Sequence, residues 1–146
     1  REAIKIIDDE QFVVMNGDSF LDIDFNLLNS YHERKRATAT IALTHTNNTD
    51  RYGRVEINKK GEITKFTEKD VGRSGFINSG VYVFNYKIIN TIPDGNTSLE
   101  TRVLPYIINQ GLYGMPVEGF FTDIGIPQSY LCLLNNPEKM LNAVGL

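Results

Sequence analysis

A single cysteine, Cys132, excludes an internal disulfide, and tryptophan is missing altogether. Cysteine used this sparingly fits a reducing compartment, so a cytoplasmic protein is expected. Cys132 lies inside Tyr130-Leu131-Cys132-Leu133-Leu134 and reads as a core residue in preference to a nucleophile. Histidine is nearly absent as well. His32 reads as the polar side of a helix and His45 as part of a Thr/Asn-rich loop. Neither has a partner that suggests a Ser/His/Asp or Cys/His mechanism. No apolar run approaches the roughly 18 residues of a membrane span, and no charged-then-apolar leader opens the sequence, so no membrane partner is expected. Excess positive charge is lacking too: 15 basic against 18 acidic residues give a net charge of −3. That balance argues against binding nucleic acid through its phosphates. The one tight basic cluster, Arg34-Lys35-Arg36, reads as a solvated helix end, where cations suit the dipole.

What is present is enough for one core of moderate size: 146 residues, 41% of them hydrophobic, imply a single domain over 1–146. The opening residues Arg1 to Ile7 have helical spacing with no N-cap before them, as in a chain that starts mid-helix. An apolar strand Phe12-Val13-Val14-Met15 runs to Asn16-Gly17-Asp18. Asp24 can cap a helix over Phe25 to about Lys35 with Leu27, Leu28 and Tyr31 on one face. Ala37 to Thr44 alternates as a half-buried strand, and Arg54–Ile57 with Gly61–Phe66 around Asn58-Lys59-Lys60-Gly61 is a hairpin signal. Phe76 to Phe84 is a further strand, followed by a helix over Tyr86 to about Ile92 that Pro93-Asp94-Gly95 breaks. Thr97-Ser98-Leu99-Glu100 has capping-box spacing, which makes Glu100 a cap for a helix to about Asn109. A short strand near Leu112 to Val117, a strand ending at Asp123 and a helix begun by Pro127 complete the order. Strands alternating with helices, some strands joined by hairpins, predict an α/β domain with a mixed sheet.

Two carboxylates stand out. Asp18 and Asp123 each follow an apolar run and lie close to a glycine, Gly17 or Gly125. At the rim of an α/β sheet, ligands gather beyond the carboxyl ends of the strands. Two such acids brought together would hold a hard cation such as Mg2+, which shares its oxygen ligands with substrate phosphates. Each could instead cap a turn, since Asn-Gly and Asp-Gly are turn signals. Gly80 interrupts Asn78-Ser79-Gly80-Val81-Tyr82, and glycine inside a strand often marks a close approach by ligand or backbone. Lys69 can supply a point charge to a phosphate, while Glu68 and Asn78 can bond sugar hydroxyls; an exposed ion pair and a β-bulge are the alternatives.

In order, Asn16-Gly17-Asp18, Tyr52-Gly53, Glu68-Lys69, Asn78 through Tyr82 and Asp123 through Pro127 resemble the motifs of the sugar nucleotidyltransferases. The likeness covers nearly the whole chain and, within that family, looks most like the D-glycero-D-manno-heptose 1-phosphate guanylyltransferases. It implies the carboxyl-terminal part of a Rossmann-like, GT-A-like domain with a mixed, mostly parallel sheet flanked by helices. It also implies a reaction. A sugar 1-phosphate attacks the α-phosphorus of a nucleoside triphosphate, GTP in the guanylyltransferases, giving a nucleotide sugar for surface-polysaccharide biosynthesis, and pyrophosphate. Carried over residue by residue, Asp18 and Asp123 hold Mg2+, Lys69 grips the sugar phosphate, Glu68 and Asn78 hold sugar hydroxyls, and Gly53 and Gly80 leave room for the ring. Asn16 and Gly17 belong to the substrate site.

The family's glycine-rich nucleotide loop lies upstream of everything here, so the chain by itself is expected to be inactive. An open sheet edge along Phe12 to Met15 is expected to make it a homo-oligomer. Asp70, Ser79 and Ile126 replace the family's frequent proline, alanine and threonine. A non-catalytic sugar-phosphate-binding or regulatory module is the alternative. Asp22-Ile23-Asp24 has the Asp-x-Asp spacing of a glycosyltransferase metal motif, but Asp24 is better used as an N-cap.

Overall fold

A computed structural model describes residues 6–67, 73–143 and 145. Glu68 and Lys69 therefore lie outside the described residues. Among the described residues there are eight strands: β1 Gln11–Met15, β2 Ser19–Leu21, β3 Ala39–Thr46, β4 Arg54–Ile57, β5 Ile63–Thr67, β6 Gly75–Asn85, β7 Leu112–Pro116 and β8 Phe121–Asp123. The α-helices among the described residues are α1 Phe25–Lys35, α2 Leu104–Tyr106, α3 Pro127–Asn135 and α4 Glu138–Ala143. Their order is that of an α/β domain.

The central sheet runs β5-β4-β6-β3-β7, and β1 pairs with β6 beside β4. The sheet is mixed, as expected, but not mostly parallel. Among the described pairings only β3 with β7 is parallel. The reason is local. β6 is long enough to take β3 along one edge and both β4 and β1 along the other, all antiparallel. β2 and β8 form a separate two-stranded ribbon.

Burial follows the sheet. Ile41, Leu43, Tyr82, Phe84, Ile88, Leu104, Ile107 and Leu112 form the larger apolar cluster, and Leu21, Leu28, Ala42, Val81 and Val83 a second one on the other side. Helix α1 starts where Asp24 Oδ1 accepts the Asn26 and Leu27 amides at 2.8 and 3.4 Å. It ends at Arg36, in the left-handed region at φ 48°, after His32, Arg34 and Lys35 in its last turn. Its inward face is Leu28 with His32; Leu27, expected inside, is exposed. His32 is thus not on the polar side of the helix but buried, its Nδ1 paired with Thr40 Oγ1 at 2.9 Å. His45 is in β3, not a loop, with its ring edge-on to Phe76. The expected helix after Asn85 is a 3-10 helix, Tyr86–Thr91. No helix of the described residues is long and apolar enough to cross a membrane.

Candidate active site

β1 stops at Met15, so Asn16-Gly17-Asp18 is the turn into β2 instead of the strand's own end. β2 and β8 then do the placing. Ser19 stands opposite Asp123 in the ladder, and the Ile124 amide donates to the Asp18 carbonyl at 2.8 Å. These main-chain bonds fix both aspartates against one another. A Cβ at Gly125 would lie 3.0 Å from Asp123 Oδ1 and 3.1 Å from Asp18 Oδ2, so both carboxylates converge on the space this glycine leaves open. The Gly125 amide itself donates to Asp123 Oδ1 at 2.6 Å. Two converging carboxylates suit a hard divalent cation, with water and phosphate oxygens completing its shell. No third His, Cys, Asp or Glu joins them among the described residues.

The far side of Asp123 is also engaged. Arg51 Nη2 lies 3.3 Å from Asp123 Oδ2, and its Nη1 donates to Ser129 Oγ of α3 at 2.6 Å. The same guanidinium sits over the Tyr52 ring, 5.3 Å from its centroid. Burial, followed by the Asp123 carboxylate nearby, pushes the Tyr52 phenol up to about 12, so it stays neutral at physiological pH.

Asn16, Gly17 and Asp18 line a cavity of about 590 Å³ together with Tyr82, Ser98 and Glu100. Gly53 and Asn78 line another of about 550 Å³ with Arg51, Tyr52, Thr67 and, again, Glu100. Glu100 borders both. It is not the expected cap: Ser98 Oγ accepts the Thr101 amide at 3.2 Å, and the turn that follows, Leu99–Val103, is a π-helix leading into the short α2. Glu100 Oε1 instead accepts from Asn78 Nδ2 and from the Tyr82 hydroxyl, each at 3.1 Å. Asn78 Nδ2 also donates to the Tyr82 hydroxyl at 2.8 Å. Burial, more than the nearby Glu100, raises the pKa of Tyr82. Sequence spacing gave Glu100 a structural reason, and only the strand opposite reveals its polar partners.

Gly80, at φ +75°, does mark a close approach, but by the protein itself. A Cβ there would meet the Asn16 side chain at 2.8–2.9 Å, and the Gly80 carbonyl accepts the Asn16 amide at 2.8 Å. At Gly53 a Cβ would lie 2.9 Å from the Thr67 carbonyl. At both glycines the nearest neighbour is another part of the same chain, and Gly53 also lines the cavity of about 550 Å³. Cys132, expected in the core, is exposed and lines a third cavity of about 950 Å³ with Arg51, Tyr52 and Asp123.

A mixed α/β sheet carries two converging carboxylates on a side ribbon, with cavities of mixed polar and apolar lining beside them. Residues 1–139 match the family described as Nucleotidyl transferase, and the chain belongs to that family. It is 33% identical over 96% of its length to the mannose-1-phosphate guanyltransferase of Yarrowia lipolytica, of which it spans 42%. It is 36% identical over 85% of its length to the mannose-1-phosphate guanylyltransferase catalytic subunit beta of Dictyostelium discoideum, of which it spans 35%. The crystal structure of HddC from Yersinia pseudotuberculosis superposes with a TM-score of 0.78 at 28% identity, over 90% of this chain and 57% of that one. HddC has also been solved complexed with GMP-PN. The chain thus spans well under two thirds of each of these relatives.

Proposed function

We propose that the protein is a sugar-1-phosphate guanylyltransferase and that this chain carries its metal and sugar-phosphate side. The observation that carries the reading is the convergence of Asp18 and Asp123 on Gly125, beside cavities lined by Asn16, Gly17, Gly53 and Asn78. The relatives' names supply the sugar 1-phosphate and the guanylyl group. In this reading a phosphate oxygen of the sugar 1-phosphate attacks the α-phosphorus of GTP and pyrophosphate leaves. Positioning and charge neutralisation supply most of the acceleration in such a transfer.

Asp18 and Asp123 would hold the divalent metal that the family generally uses, taken here as Mg2+. When bound, the metal neutralises phosphate charge in the transition state. Asn78 and Glu68 would orient sugar hydroxyls, Lys69 would bind the sugar phosphate as a point charge, and Gly53, Gly80, Asn16 and Gly17 would shape the walls. Glu100, whose carboxylate borders both cavities, is added to the sugar-binding set. A place in surface-polysaccharide biosynthesis rests on the family likeness, a cytoplasmic location on the single cysteine, and a homo-oligomer on the outer edge of β1.

The test is a panel of sugar 1-phosphates and nucleoside triphosphates offered to the full-length protein in Mg2+, read as pyrophosphate release. Turnover of GTP with a mannose- or heptose-type 1-phosphate is expected. Binding of the sugar phosphate without turnover of any nucleotide would make the protein a non-catalytic module instead.

A further inference from the structure

Asp123 is already paired with a cation of the protein's own. Its Oδ1 takes the Gly125 amide at 2.6 Å and faces Asp18, while its Oδ2 takes Arg51 at 3.3 Å. Arg51 is held in that place by Ser129 at 2.6 Å and by the Tyr52 ring at 5.3 Å. Its side chain keeps 39% of its surface exposed, whereas that of Asp123 keeps 17%. Arg51 is thus the more exposed member of the pair, and it lines both the cavity that holds Gly53 and Asn78 and the larger one beside α3.

From this we infer that Arg51 is a resident counterion that stands in for the metal at Asp123 and is handed to substrate phosphate when the metal binds. The inference rests on the proposed metal role of Asp18 and Asp123. Before a metal arrives, two close carboxylates repel, and the guanidinium relieves that repulsion. A divalent cation bound between them then finds a positive charge on the far side of one of its ligands. Their repulsion outweighs the freedom that Asp123 would gain from losing one partner, because a single aspartate has little rotamer entropy to recover. Arg51 therefore opposes binding of the bare metal. A planar guanidinium released at the rim has a better partner in a phosphate, whose oxygens match its donors two at a time. The arrangement makes metal and phosphate bind together more tightly than either binds alone, and by linkage each strengthens the other equally.

Electron paramagnetic resonance of free Mn2+, titrated with the full-length protein with and without mannose 1-phosphate, tests this without turnover. In the unaltered protein mannose 1-phosphate should tighten Mn2+ binding by about tenfold, a coupling of ordinary size between linked sites. Arg51→Gln should tighten binding of Mn2+ alone by about tenfold, and the further tightening by mannose 1-phosphate should shrink severalfold, because only the direct attraction of metal and phosphate is left. Arg51→Lys, which keeps the charge, should stay near the unaltered protein for Mn2+ alone. Ser129→Ala, which frees the guanidinium without touching Asp123, should move part of the way toward Arg51→Gln. Arg51→Gln binding Mn2+ no more tightly, or more weakly, than the unaltered protein overturns the counterion role. An unchanged response of Arg51→Gln to mannose 1-phosphate overturns the hand-over. Asp123→Asn serves as the separate check on the metal site: if it binds Mn2+ as the unaltered protein does, the metal reading itself fails, whatever Arg51→Gln shows.

Discussion

Residue by residue, the polar groups around Gly80 answer to one irregularity. The register between β3 and β6 shifts between Ile41 and Leu43, so Ile41 faces Tyr82 while Leu43 faces Asn78. Ser79, where the family frequently has alanine, fills the gap. Its hydroxyl donates to the Ala42 carbonyl at 2.9 Å and lies 3.0 Å from Thr44 Oγ1. The bulge shortens the path from Asn78 to Tyr82, which in a flat strand would be about 13 Å, and lets the two side chains bond to each other and to Glu100. Glu100→Ala should accordingly raise KM for the sugar 1-phosphate by about tenfold, the scale of hydrogen bonds to a charged group, while KM for the nucleotide moves little. Steady-state kinetics with each substrate varied in turn decides it; equal effects on both would take Glu100 out of the sugar site. Asp18→Ala and Asp123→Ala should each lower kcat by about 10²–10³-fold, as for loss of a main electrostatic stabiliser, with circular dichroism unchanged. Near-normal pyrophosphate release in Mg2+ from either variant would remove that residue from the metal site.

Among the elements, the β2–β8 ribbon and helix α1 carry different burdens. The ribbon is only three residues long on each side, yet it sets the distance between the two carboxylates. α1 is anchored to β3 through His32, which is 2% exposed, and whose Nε2 has no hydrogen-bond partner among the described residues. Burial, its largest influence, lowers the His32 pKa, with Glu33 opposing the shift. The folded protein therefore refuses a proton that the unfolded chain accepts. Stability should be full above the unfolded histidine's pKa of about 6.5 and should fall as pH drops below it toward the folded value. Urea midpoints measured from pH 7.5 to 5.5 should show that decline, and His32→Gln should flatten it. An identical slope in the variant would assign the pH dependence to other groups.

For the molecule as a whole, the exposed edge is the main consequence of topology. β1 pairs with β6 along one side, and among the described residues no strand covers the other. Val13 and Met15 on that strand are 45% and 51% exposed. An apolar open edge is a template for another chain. The 146-residue chain should therefore self-associate at high concentration, and a lysine at Val13 should restore the monomer. Light scattering that finds a stable monomer without the substitution would refute the edge argument.

Local rules settled a good deal. The Asp24 cap, the Asn58–Gly61 hairpin turn, the run into Asn16-Gly17-Asp18 and the helix begun at Pro127 each depend on side chains a few residues apart, so spacing alone predicts them. The family, read from five ordered motifs, was legible for the same reason. The rest came from pairs distant in sequence. The convergence of Asp18 with Asp123 is made by a ribbon joining residues about a hundred positions apart, and the Arg51–Ser129 contact spans 78 residues. Glu100 matched a capping pattern, and its partners on β6 became visible only once the bulge had drawn Asn78 and Tyr82 together. The antiparallel character of the sheet was likewise hidden, because one long strand can accept neighbours on both edges and nothing in its own residues says from which direction they come. Sequence by itself determined which chemical groups this protein has and where its strands and helices begin; tertiary packing decided which groups meet, because a hydrogen-bond ladder between remote strands has no signature in the residues of either strand alone.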